Sequence, residues 1–322
     1  MTRIFQDSFQ LDRAAFLKAL ASLAVLPLLS RLSAANEASS GLTEVASGVY
    51  VHQGRHALAG AENGGDIANI TFIIGAEAVA VVDTGGSARI GAAARQALKA
   101  ITDKPIRYVI NTHMHPDHVF GNAAFADDKP DYIAHHKMAR GLSARAERYL
   151  AVNKAAIGDA AFEGTKIVLP TRAISATTEI DLGGRTLELK PRATAHTDND
   201  LTILDKTTGT LILGDLLFSG HVPTLDGSIR GWLKLIAELL QEKAERVIPG
   251  HGPASMAWPD ALTPLERYLR TIADDVRTMI KAGKTLAEAS KTAAQSEKNS
   301  WALFDEYHVR NVTAAFAELE WE

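Results

Sequence analysis

Asn111-Thr112-His113-Met114-His115-Pro116-Asp117-His118 gathers three imidazoles and a carboxylate into one short run, directly after the apolar residues Tyr108-Val109-Ile110. The apolar segment reads as a strand, so the histidines project from a loop at its carboxyl end, where rigid backbone can aim side chains. His113 and His115 are two positions apart and leave extended backbone on the same side, while Asp117 and His118 turn toward a neighbouring position. One run can therefore serve two metal ions.

Three further residues complete a candidate ligand set. His196 stands in Ala195-His196-Thr197-Asp198-Asn199-Asp200, Asp215 ends Leu211-Ile212-Leu213-Gly214-Asp215, and His251 sits in Ile248-Pro249-Gly250-His251-Gly252. Each ends or closely follows an apolar strand-like run, and the glycines beside Asp215 and His251 allow close backbone approach. The chain has 322 residues and no cysteine, which excludes disulfides, thiolate ligands and a cysteine nucleophile. Its chemistry must use oxygen and imidazole. With 46% apolar and 22% charged residues the composition is that of a globular protein, and a formal net charge of -4 offers no basic surface for nucleic acid.

Around the histidines, short β-branched runs at 49–53, 70–75, 78–83 and 106–111 predict strands, with a helix over 88–101 between the last two. A second strand group follows a helical middle, at 172–175, 185–190, 201–205, 210–213 and 246–249. Two strand-rich halves, each with helices, predict an internally duplicated sandwich. Beyond Trp258, Leu262, Leu265, Leu269, Ile272, Val276 and Ile280 recur at helical spacing, Gly283 can end that helix, and Thr285-Leu286-Ala287-Glu288 reads as a capping box opening another. This helical extension over 258–322 is expected to pack on a catalytic domain spanning 36–257. At the amino terminus, basic residues precede the apolar run Phe16–Leu29, which is followed by Ser33-Ala34-Ala35. Residues 1–35 thus read as a cleaved export signal, with Asp12-Arg13-Ala14-Ala15-Phe16-Leu17-Lys18 similar to a degenerate twin-arginine signal. The run is too short for a stable membrane span after processing, and a periplasmic location follows.

The motif and its context resemble the metallo-β-lactamase superfamily, whose signature is His-x-His-x-Asp-His followed by a distant His, a bridging Asp or Cys, and a Pro-Gly-His. Val81-Val82-Asp83-Thr84-Gly85 matches a further recurrent turn. The stretches NTHMHPDHVFGNAAFADD, PRATAHTDNDLTILD, GDLLFSGHVPTLDGSIRGWL and WALFDEYHVRNVTAAFAELEWE are similar to the exported quinoprotein relay system zinc metallohydrolases, relatives of the SoxH-type proteins. The resemblance implies a four-layer αββα sandwich with two zinc ions at one edge. It implies a first zinc on His113, His115 and His196 and a second on Asp117, His118 and His251, with Asp215 bridging. Asp117 would also orient a nucleophilic water, and Asp83 would accept a hydrogen bond from a ligand histidine. The implied activity is hydrolysis of an ester, thioester, lactone or amide, in association with a periplasmic quinoprotein dehydrogenase system.

Persulfide dioxygenases of the superfamily use one iron, but His118 and His251 complete a second position such a site does not need. Diiron flavoproteins carry Glu where His115 stands. Asp215, in place of a cysteine, points away from thiolate-type β-lactamases, and a non-catalytic metal-binding accessory role is separated from a hydrolase by turnover. The glycine-rich segment Gly54–Gly65 reads as a flap over the site or an ordinary surface loop, and His221 as a substrate contact or a structural residue. His135 and His136 read as helix-start or surface residues, and His52, His56 and His308 have no ligand pattern.

Overall fold

The computed structural model describes residues 41–322; the export-signal reading of residues 1–35 lies outside them. Strands β1 (Thr43–Ala46), β2 (Val49–His52), β3 (Ile70–Ile74), β4 (Val79–Val82), β5 (Ile106–Ile110), β6 (Asp131–His135) and β7 (Arg172–Ile174) form one sheet in sequential order. It is antiparallel from β1 to β4 and parallel from β4 to β7. Strands β8 (Thr178–Asp181), β9 (Thr186–Pro191), β10 (Leu201–Asp205), β11 (Thr210–Phe218), β12 (Arg246–His251) and β13 (Met256–Ala257) form the second, in the order β13-β12-β11-β10-β9-β8.

The helices are α1 (Ala88–Lys99), α2 (Pro116–Val119), α3 (Met138–Ile157), α4 (Asp159–Phe162), α5 (Ile229–Leu239), α6 (Thr263–Lys281), α7 (Leu286–Thr292) and α8 (Phe304–Leu319). Ser87 and Ser228 cap α1 and α5 by accepting from the backbone N–H of Ile90 and Gly231. The Thr285–Glu288 capping box opens α7 as the sequence predicts. No helix among the described residues is long and apolar enough to cross a membrane.

The layering follows from strands apolar on both faces. Ala80 and Val82 of β4 point between the sheets, against Leu189, Leu201 and Ile203, while Val79 and Val81 point outward against Leu98 of α1. In the other sheet Ile212 and Ile248 face inward, whereas Leu211, Leu213 and Val247 face Trp232 and Ile236 of α5, Leu265 and Ile272 of α6, and Val312 of α8. This is the four-layer αββα arrangement. The carboxyl-terminal helices share one apolar cluster with α5 and the sheet, and so form its outer layer.

Several strands differ from expectation. The segment ending at Leu213 continues to Phe218 through an irregularity at Gly214, whose φ of 53° only glycine adopts readily. That shift re-aims Asp215, which sits within the strand and not at its end. β8 carries no strong run: it is a short edge strand in which Glu179 is exposed and only Ile180 is buried. His135, read as a helix-start or surface residue, ends β6 and is buried, with its ring stacked on His136 at 4.3 Å.

Candidate metal centre

Asp83 follows β4, the His113–His118 run follows β5, Asp215 lies in β11, His251 ends β12, and His196 sits on the loop from β9 to β10. Paired strands thus deliver all seven ligand candidates to one edge of the sandwich. His113, His115, His196 and Asp215 form one group and Asp117, His118 and His251 another, the ligand atoms of each lying within 4.8 Å of one another. His196 Nε2 is 3.3 Å from His113 Nε2 and 3.1 Å from His115 Nδ1. Asp215 divides its carboxylate between the groups: Oδ1 lies 3.0 Å from His118 Nε2 and 3.3 Å from His251 Nε2, and Oδ2 lies 3.4 Å from His196 Nε2 and 3.6 Å from His113 Nε2. Asp117 Oδ2 is 3.3 Å from His251 Nε2.

Each imidazole is fixed through its other nitrogen. His113 Nδ1 meets Thr112 Oγ1 at 3.0 Å, His115 Nε2 meets Asp226 Oδ2 at 3.0 Å, and His118 Nδ1 meets Asp83 Oδ2 at 2.8 Å. The Thr224 and Ile67 carbonyls accept from His196 Nδ1 at 2.7 Å and His251 Nδ1 at 2.8 Å. Asp83, with φ of 59°, also accepts from the Thr112 N–H and hydroxyl at 2.8 and 2.7 Å. With the outward nitrogens committed, the inward nitrogens of five rings and two carboxylates converge on one space. Nitrogens at 3.1 to 3.3 Å repel unless a cation lies between them, and this donor set suits a divalent metal. His118 Nε2 and Asp215 Oδ1, both buried, have no hydrogen-bond partner of their own, as metal-directed atoms would.

Electrostatics separates the two groups. Burial disfavours charge on His113, holding it well below its ordinary value, and pushes His196 down to about 3. Burial acts the same way on His118 and His251, but facing carboxylates, Asp215 foremost, outweigh it, raising His118 and pushing His251 up to about 9. Burial would raise Asp215, yet the surrounding imidazoles hold it well below the usual carboxylate range.

The groups open into a cavity of about 290 Å³. One wall is the 54–65 segment and its continuation, contributing Ala57, Ala59, Gly65 and Ile67; another is α3, with Tyr149, Val152 and Asn153. The 54–65 segment is tied internally by Asn63, which donates to the Leu58 carbonyl and accepts from the Gly60 and Gly65 N–H groups. His221 also lines the cavity, 4.9 Å from the His251 ring, where burial pushes it down to about 4. Tyr307 and Arg310 of α8 complete the lining. Sequence reasoning missed these two, together with Tyr149 and Asp226. Asp226 stands in an ordinary Leu-Asp-Gly turn, and its partner His115 is 111 positions away.

The family profile described as the metallo-beta-lactamase superfamily matches residues 63–251, more than half of the chain. The chain belongs to the metallo-beta-lactamase superfamily. Solved structures of similar fold include TMB-1, at 17% identity over 71% of this chain and 96% of that one, with a TM-score of 0.55. A metallo-beta-lactamase from Pontibacter korlensis gives 19%, 71%, 98% and 0.54. A double mutant of the sec-alkyl sulfatase PisA1 gives 18% identity and a TM-score of 0.63 over 86% of this chain, although the match spans only 49% of the sulfatase. At these identities the likeness shows the fold. No curated protein matches the chain significantly. Superfamily members are mostly hydrolases, and the clustered His and Asp side chains fit metal binding.

Gly250 shows how tightly the carboxylate is held. A Cβ there would lie 2.0 Å from Asp215 Oδ1 and 2.7 Å from the Gly214 carbonyl carbon. Gly250→Ala is therefore expected to displace Asp215, cost about 1 to 3 kcal/mol and lower bound metal per chain after dialysis. Wild-type metal content in this variant would refute so close a fit.

Proposed function

We propose that the chain is a dinuclear zinc hydrolase acting on an ester, thioester, lactone or amide carbonyl. The observation that carries this reading is the division of Asp215 between the two groups, Oδ2 toward His113 and His196 and Oδ1 toward His118 and His251. His113, His115 and His196 would hold one ion, Asp117, His118 and His251 the other. Bound zinc supplies a Lewis acid and a water acidified toward neutrality. Asp117 lines the cavity and carries a carboxylate oxygen 3.3 Å from His251, placed to orient a nucleophilic water and take its proton. Tyr149 and Tyr307 are held up to about 12, chiefly by burial, so both hydroxyls stay protonated as donors for a substrate oxygen. Ala57, Ala59, Val152 and Phe218 give that substrate an apolar seat.

Metal analysis of the purified protein, combined with a hydrolysis screen over thioesters, lactones and β-lactams, tests this. The expected result is about two zinc ions per chain, with turnover abolished in His115→Ala. One iron per chain with oxygen uptake would overturn the reading in favour of a dioxygenase, and two zinc ions with no turnover in any arm would favour an accessory protein. The resemblance of the sequence supports export to the periplasm and service to a quinoprotein dehydrogenase system. Residues 1–35 should then be missing from periplasmic material sequenced from its amino terminus.

A further inference from the structure

We infer that helix α8, outside the matched family region, sets the geometry of the three-histidine cluster, with Arg310 and Asn311 as its positioning residues. This rests on the metal reading above. The loop between β11 and α5 carries two of that cluster's outer partners, the Thr224 carbonyl against His196 Nδ1 at 2.7 Å and Asp226 against His115 Nε2 at 3.0 Å. The carboxyl-terminal segment grips this loop along its length. Asn311, buried, accepts from the Leu225 N–H at 2.9 Å and donates to the Pro223 carbonyl at 2.6 Å, on either side of Thr224. Its amide nitrogen is also 3.0 Å from the Tyr268 hydroxyl of α6, which fixes the clamp to the helical layer.

Arg310 Nη2 reaches Asp226 Oδ1 at 3.3 Å, on the oxygen not used by His115. At the loop's ends, Ala302 pairs with Gly220 and Val222 through backbone hydrogen bonds of 3.0 Å, and Glu318 accepts from Ser228 Oγ at 2.7 Å and the Ile229 N–H at 2.8 Å. The other cluster is oriented differently. His118 is held by Asp83 and His251 by the Ile67 carbonyl, both in the amino-terminal half of the chain. Loosening α8 should therefore disturb one metal position and spare the other. Outer partners of metal-bound histidines fix ring direction and ligand basicity, so that disturbance should appear as affinity.

The test titrates the metal-stripped full chain with cobalt(II), following both stepwise constants. It is repeated in a His251→Ala background, where the three-histidine cluster binds alone. Arg310→Met keeps the exposed stem and removes the tie to Asp226. It should weaken the three-histidine position about 3- to 10-fold, less than the roughly 10- to 100-fold loss when a direct outer partner is removed, and leave the other within about twofold. Arg310→Lys should recover most of the loss, and Asn311→Ala should exceed it. Arg270→Met, which breaks an exposed ion pair with Glu266 within α6, is the control and should change neither constant. Unchanged constants in Arg310→Met, or a parallel loss at both positions, would overturn the inference. Imidazole 15N signals of the metal-free chain give a second readout: those of His115 and His196 should move in Arg310→Met while those of His118 and His251 hold still. A wild-type chain that binds no cobalt would sink the metal reading and leave these signals to decide the positioning role, which fails if all four move together or none does.

Discussion

Asp215→Asn is expected to bind about one metal ion per chain, against the two proposed for the wild type, and to turn over at least about 100-fold more slowly. Outer partners of ligands already account for about 10- to 100-fold in affinity or activity, and Asp215 reaches both clusters directly. The substitution keeps the shape and removes the charge. One carboxylate oxygen becomes an amide group that presents hydrogens to His118 and His251 or to His113 and His196, so whichever cluster it faces loses an acceptor. The fold should persist, because Asp215 sits in β11 between the buried Leu213 and Leu216, which keep their packing. Without the carboxylate, His118 and His251 lose a negative neighbour and should release their protons before the chain unfolds. Metal content by mass spectrometry, initial rates on a substrate found in the screen, and far-UV circular dichroism check the three parts together. Unchanged metal content and rate would remove Asp215 from the centre.

How much of this was legible in the sequence depends on whether the information was local. The run from His113 to His118 is local: a strand end, a two-residue spacing and a proline opening a short helix decide where those side chains go. The two strand groups and the α6 stripe were readable for the same reason, since burial on both faces of a strand or along one helix face leaves a periodic mark. The bulge at Gly214 was half legible. Glycine marked a special position, but only the parallel pairing with β12 shows that the strand resumes and carries Asp215 inward. Asp226, Tyr307 and Arg310 could not be read. Their roles depend on α8 packing over the β11–α5 loop, and nothing in a turn aspartate or a helical tyrosine and arginine announces a partner more than eighty positions away. The same packing gives the tail two parts, since α8 buries Val312 and Phe316 in the apolar layer while Tyr307 and Arg310 line the cavity.

Trp232→Ala is expected to be the most destabilising single substitution outside the centre, at about 3 to 5 kcal/mol. Trp232 is fully buried where α5 meets the second sheet, in an apolar cluster that β11, α5, α6 and α8 build together, so no single element can move to fill the space. The indole N–H donates to the Leu216 carbonyl at 3.3 Å, and its loss leaves that buried acceptor one partner short. The ring also lies 5.4 Å from the His196 imidazole and 6.4 Å from Phe218, forming the apolar wall behind the three-histidine cluster. Stability and metal binding should fall together here, which separates this variant from Asp215→Asn. Urea unfolding should be followed on the metal-stripped protein, because bound metal adds its own linkage energy to the folded state. Trp232→Phe, which keeps a ring but not the donor, should lose about half as much. A loss in Trp232→Ala under about 1 kcal/mol would match a surface substitution, and the outer helices would then be covering the sheet without closing its core.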